Sequence, residues 1–206
     1  MSGIISDNVL RQSGLIKAAA GGSWTFLAKS TASTSSDISF TSGIDGTYGT
    51  YVFTFKDMHV GTDNANFQFN ASIDGGSNYN VTKTTTLFQA EHNEADDGAG
   101  LYYKTALDLA QSTAAQCLVQ GINNANDSMC SGMMYLFSPS NTTYVKHFIS
   151  TASATMGGGG DYIQPNYVSG YMNTTSAVNA MQFSMSSGNI DSGDICLYGI
   201  TIWVEL

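Results

Sequence analysis

The sequence predicts an all-β protein: an antiparallel β-sandwich, jelly-roll-like, preceded by a short extended N-terminal arm. Three observations predict it. Apolar and polar residues alternate at a period of two along most of the chain, as in strands that bury one face. The intervening segments are rich in Gly, Ser, Asn and Asp, with only 2 prolines in 206 residues. Helical periodicity is weak throughout, and its best case, residues 102–114, fits a strand plus loop equally well.

The first 22 residues are small and mixed, and end in the run Ala18 to Gly22 before the patterned region opens at Trp24. Such an arm adds little to its own core and is expected to dock on a neighbour, since free termini fray. Residues 23–206 are expected to form one sandwich domain, because no linker or repeat interrupts them. Ile38 with Phe40, and Val52 to Phe55, supply the early strands. Phe67, Phe69, Ala71 and Ile73 then point one way while Gln68, Asn70 and Ser72 point the other. Further strands are expected at Val81 to Gln89, Cys117 to Val119, Met133 to Phe137, Tyr144 to Ile149 and Tyr167 to Met172. Met181, Phe183 and Met185 alternate with Gln182, Ser184 and Ser186. In the last strand Ile195 and Leu197 share a face, but Ile200, Ile202, Val204 and Leu206 fall on the other. A phase slip at a glycine, here Gly199, predicts a β-bulge. About ten strands at short spacing, separated by turns such as GTDNAN and SSGNIDSG, make the sandwich.

Composition narrows the function classes. Charged residues are 11% of the chain, against roughly 25% in an ordinary globular protein. Polarity comes instead from Ser, Thr, Asn and Gly, which suits a surface partly covered by other protein. The net charge is −9, with six lysines and the single arginine Arg11 spread thinly. Binding to phosphate backbones or to anionic lipid needs basic clusters, so neither nucleic acid nor membrane is expected as a partner. No apolar run approaches the roughly 20 residues of a membrane helix, and the N-terminus lacks the pattern of a signal peptide. Cys117, Cys130 and Cys196 are an odd set without metal-ligand spacing. They are expected as reduced thiols of a protein assembled in a cytosol, with a Cys117–Cys130 bridge left open.

Two stretches could carry chemistry. Ser72-Ile-Asp74-Gly-Gly76-Ser-Asn-Tyr79 resembles the Asp-box, with Asn for Thr and Tyr for Trp. There the carboxylate braces a hairpin through backbone N–H bonds, the glycine permits positive φ and the aromatic packs beneath. Sialidases carry such boxes but bind the sugar carboxylate with several arginines, which one arginine cannot supply. A calcium loop needs a distal acid that does not follow Asp74. Ser72, Asp74, Gly76 and Tyr79 are therefore expected to be structural. The run Glu91-His92-Asn93-Glu94-Ala95-Asp96-Asp97 is the densest in acid and is expected to be a solvated loop. Its functional alternatives are a metal held around His92, or a carboxylate pair hydrolysing a glycoside. No nucleophile elbow, Cys–His motif, HExxH or P-loop is present. Neither a catalytic residue nor a metal or cofactor site is assigned, and no cofactor is expected.

Several stretches together resemble a family of virion structural proteins of tailed bacteriophages, especially marine ones. They are MSGIISDN and SGLIKA in the arm, FTSGIDGTYGTYVFTF, SIDGGSNYN, FSPSNTTYVKHFIS and GYMNTTSAVNAMQFSMSSGNIDSGDICLYGI. Family members often carry Gly-Arg after the opening Asp-Asn-Val, where this chain has Leu10-Arg11. The resemblance implies a particle component assembled in the host cytoplasm, displayed on the virion exterior and associated as a homotrimer with other virion proteins. Arm residues Ile4, Ile5, Asp7, Arg11, Leu15 and Ile16 would dock it. The expected role is a fibre or receptor-binding appendage whose loops face a host-surface polysaccharide or protein. The alternatives are a capsid decoration protein and, more distantly, a carbohydrate-active enzyme using the acidic run.

Overall fold

The computed structural model describes residues 24–156 and 162–201. The expected docking arm, the glycine run from 157, and Ile202, Val204 and Leu206 lie outside the described residues. The strands are β1 (Trp24–Ser35), β2 (Asp37–Phe40), β3 (Thr50–Val60), β4 (Ala65–Ser72), β5 (Lys83–Asn93) and β6 (Ala99–Tyr103), then β7 (Gln116–Ile122), β8 (Cys130–Phe137), β9 (Lys146–Met156), β10 (Tyr162–Met172), β11 (Ala180–Met185) and β12 (Ile190–Ile200). The only helical element among the described residues is a 3₁₀ turn at Thr105–Leu107, within the stretch whose helical pattern was ambiguous.

Pairing is antiparallel throughout these strands, and two layers result. The large layer runs β6–β5–β10–β9–β8–β3–β12–β1 and the small one β7–β4–β11–β2. Early strands wrap against late ones: β1 on β12, β2 on β11, β3 on β12. That is the all-β antiparallel sandwich expected of the sequence. At one side the layers touch through the single pair Ile122↔Met156. At the other, β1 runs into β2 across Ser36, so the sheet nearly closes on itself.

Period-2 alternation drives this arrangement, because each strand must bury its apolar face against the opposite layer. Phe183 of β11 shows the result. Its ring lies 5.1 Å from Phe53, 5.2 Å from Phe55 and 5.9 Å from Phe67, with Phe40 at 6.4 Å. Towards β5, β10 and β7 the interior turns polar, and there the side chains pair with one another. Buried Gln164 donates through Nε2 to Gln89 Oε1 and to Asn166 Oδ1, each at 2.9 Å, and Thr85 donates to Gln116. Buried amides need such partners, and the network meets this in part: the Oε1 atoms of Gln164 and Gln120 are buried without one among the described residues.

Two strands were not legible in the sequence. β1 is mostly exposed and half of it is Ser and Thr, while β6 is an exposed edge strand. The bulge expected at Gly199 is corrected. Gly199 pairs in register with both Tyr51 and Thr25, and the register shift falls on the partner strand, between Phe26 and Ala28. Gly199 stays inward because the Tyr48 ring covers it; a Cβ there would lie 2.3 Å from Tyr48 Cδ2. Tyr198 and Ile200, on either side of it, share the outer face.

Candidate functional site

Ser72, at the end of β4, is fully buried and sits at the centre of the Asp-Gly-Gly loop. Its Oγ donates to Asp74 Oδ1 at 2.6 Å and accepts the N–H of Gly76 at 3.0 Å and of Asp74 at 3.2 Å. Asp74 also accepts the Asn78 N–H at 2.9 Å and the Asn78 amide at 2.7 Å. The Ser72 hydroxyl, then the Asn78 side chain and N–H, hold the Asp74 carboxyl down to about 2. Gly75 and Gly76 take φ of +72° and +91°, where a Cβ is disfavoured. A Cβ on Gly76 would meet Thr41 Cγ2 at 2.7 Å and Tyr79 Oη at 2.8 Å, so Tyr79 packs against this turn.

The segment is nevertheless not a hairpin, and that expectation is corrected. β4 pairs with β7 and β11, while β5 pairs with β10 and β6, so the loop carries the chain from one layer to the other. Asp-Gly-Gly specifies a local turn with positive φ; which strands then pair depends on which faces they bury. The hairpin lies instead at the acidic run, between β5 and β6, where His92 opposes Ala99. Asn93 closes it: Oδ1 accepts the N–H of Asp97 and Gly98, at 3.1 and 2.9 Å, and Nδ2 donates to Asp97 at 2.6 Å. His92 Nε2 meets Asp96 Oδ1 at 3.1 Å in an exposed pair, and Glu91 accepts from Gln89 and faces Lys104 at 3.7 Å. The run's acids thus face their own turn, solvent or a lysine. Among the described residues no group of three or more His, Cys, Asp and Glu is placed to hold a metal ion.

The three cysteines are free, and Cys117 and Cys130 are buried. Burial pushes the Cys117 thiol up to about 12 and raises Cys130 as well, with Cys117 beside it adding to the effect. Such thiols are poor nucleophiles.

The surface feature that stands out is the outer face of the large layer. Trp24, Tyr198, Tyr135 and Phe137 form a chain of rings, with centroids 5.5 Å apart for Trp24–Tyr198, 6.3 Å for Trp24–Tyr135 and 6.2 Å for Tyr135–Phe137. Val52, which points outward between Tyr135 and Tyr198, is fully buried because these rings cover it. Phe88 and Tyr167 stack at 5.0 Å further along the same face. At its end, Phe137, Tyr144, His147 and Thr175 line a cavity of about 580 Å³. The outer face of the small layer is different in kind: Gln68 bonds Ser184 and Gln182 bonds Ser39 across its strands, at 3.3 Å each.

Sequence reasoning did not single out this aromatic face. Its signal was there, in runs with no alternation: Tyr51-Val52-Phe53, Tyr135-Leu136-Phe137, Phe148-Ile149 and Tyr167-Val168. In an antiparallel protein, an unbroken apolar run means that both faces of the strand are apolar. Comparison with models of known protein families, with curated proteins and with solved structures finds no match to this chain.

Proposed function

We propose that this chain is a structural protein of a bacteriophage particle, displayed on the virion exterior as a fibre or receptor-binding appendage. The observation that carries the reading is the apolar, aromatic outer face of the large layer on a chain whose charged content is only 11%. Contiguous exposed apolar surface of this kind is rare on proteins that act alone and marks an interaction surface, and a low-charge chain without basic clusters suits protein as the partner. The resemblance of the arm and sandwich segments to virion proteins supports the same reading. Residues 1–22 would anchor the chain to other virion proteins, a homotrimer would be the working assembly, and the loops around the Tyr144 cavity would face a host-surface polysaccharide or protein.

Cryo-electron microscopy of the particle tests this. Trimeric density for this chain at a tail vertex is the expected result. Copies spread over the head lattice would instead establish a decoration protein, and its absence from purified particles would overturn the virion assignment.

A further inference from the structure

We infer that the outer face of the large layer is where copies of this chain pack against one another. The inference deepens the proposed homotrimer by naming its packing surface, and its test does not depend on where the chain sits on a particle.

The two outer faces of the sandwich differ in chemistry. On the small layer, the outward positions of β4, β11 and β2 are amides, hydroxyls and the Asp37 carboxylate, several of them bonded to one another, such as Gln68 with Ser184 and Ser39 with Asp37. On the large layer, most outward positions are aromatic, aliphatic, Ser or Thr, and several large apolar ones stay exposed: Phe26 at 57%, Ile149 at 49%, Tyr167 at 41%. The register aligns them in rows. One row runs Ser169, Ile149, Tyr135, Val52, Tyr198, Phe26 across six strands. Rows of this kind present a continuous surface rather than scattered side chains, which is what a packed interface needs.

Size agrees. Eight strands about 4.8 Å apart, each with three or four outward residues about 6.8 Å apart, span on the order of 900 Å². A standard interface buries about 800 Å² per partner.

Charge selects the occupant. Each chain carries −9, so two copies repel wherever their charged surfaces meet. Along β5, β10, β9 and β8 no outward residue is Asp, Glu, Lys or Arg. On this face the charges sit towards the β1 side, where Lys29 pairs with Asp194 at 2.8 Å. Two like-charged chains approach with least repulsion through such a face. A basic partner would be drawn to the acidic surfaces instead.

The test is sedimentation equilibrium of the full chain and of two double variants. Ile149→Lys with Tyr167→Lys puts like charges on the face; Gln68→Lys with Gln182→Lys puts the same charges on the small layer as a control. The native chain is expected to self-associate by roughly 1 µM, the face variant to weaken that by about 100-fold or more, and the control to leave it unchanged. Circular dichroism and thermal unfolding check that the folds match, and the single variant Phe26→Lys repeats the test if the double variant does not fold. A native chain that stays monomeric at about 100 µM, or a face variant that assembles like the native chain, overturns the proposal. If the monomeric native chain instead binds a neutral polysaccharide and the face variant does not, the occupant is a glycan and the proposal is likewise overturned.

Discussion

Lys83 of β5 and Lys146 of β9 sit on one inward row, each directly opposite Met172 of β10, and both are fully buried. Neither ammonium has a carboxylate partner among the described residues. Lys83 Nζ donates to Asn70 Oδ1 at 2.6 Å and Val81 O at 2.8 Å; Lys146 Nζ donates to Tyr144 O at 2.8 Å and Thr174 O at 3.1 Å. Each lysine ties the end of its strand to the backbone of a nearby loop. Burial without a counter-charge pushes Lys83 down to about 8 and lowers Lys146 as well.

The pH dependence that follows has a definite sign. Between about 8 and the unfolded value of 10.5 the unfolded chain binds the Lys83 proton and the folded chain does not. Stability from this group therefore rises with pH across that window, and its destabilising effect is fully present below it. Denaturant titrations of native protein and Lys83→Met at pH 7, 8.5 and 10 cancel every other titrating group. The native protein is expected to gain on the variant by up to about 3 kcal/mol over that range. Parallel pH profiles would show that Lys83 is solvated.

The loop between the layers separates conformation from space. Gly75 and Gly76 both have positive φ, but a Cβ on Gly75 meets nothing within 4 Å while one on Gly76 meets Thr41 and Tyr79. Gly75→Ala is expected to cost about 1 kcal/mol and Gly76→Ala about 2–3 kcal/mol, seen as a melting-temperature loss at least twice as large. Equal losses would mean that Thr41 and Tyr79 move aside freely.

Phe183 is the keystone of the aromatic core, with four rings around it. Phe183→Ala is expected to cost about 3–5 kcal/mol and Phe183→Leu markedly less, measured by chemical denaturation. A cost below about 1 kcal/mol for the alanine variant would show that the layers collapse onto the gap.

Thiol reactivity reports the same core. With the outer face opened by Ile149→Lys and Tyr167→Lys, Cys196 is expected to label first at pH 8, because it is only partly buried. Cys117 and Cys130 are expected to label only as the protein unfolds, at a rate that follows denaturant. Labelling of all three at one rate in native buffer would contradict the burial.

Some of this was legible in the residues. Most strands from Ile38 to Met185, β6 excepted, announce themselves by alternation, and Asp74, Gly75 and Gly76 announce a turn, because both are local effects of backbone geometry and side-chain period. The partners of those elements were not legible. Nothing local tells β4 to leave β5 and pair with β7 and β11, so the loop at Ser72 changes layers and the acidic run at Asn93 makes the hairpin. Nothing local marks Lys83 and Lys146 as inward, because only their place opposite Met172 buries them.

By itself, then, the sequence determined that this chain is an antiparallel β-protein of low charge, since period and composition act within a few residues. Only the tertiary structure decided which strands share a layer and that one outer face is aromatic while the other is amide. Register between distant strands sets both, and register follows from how whole faces bury together.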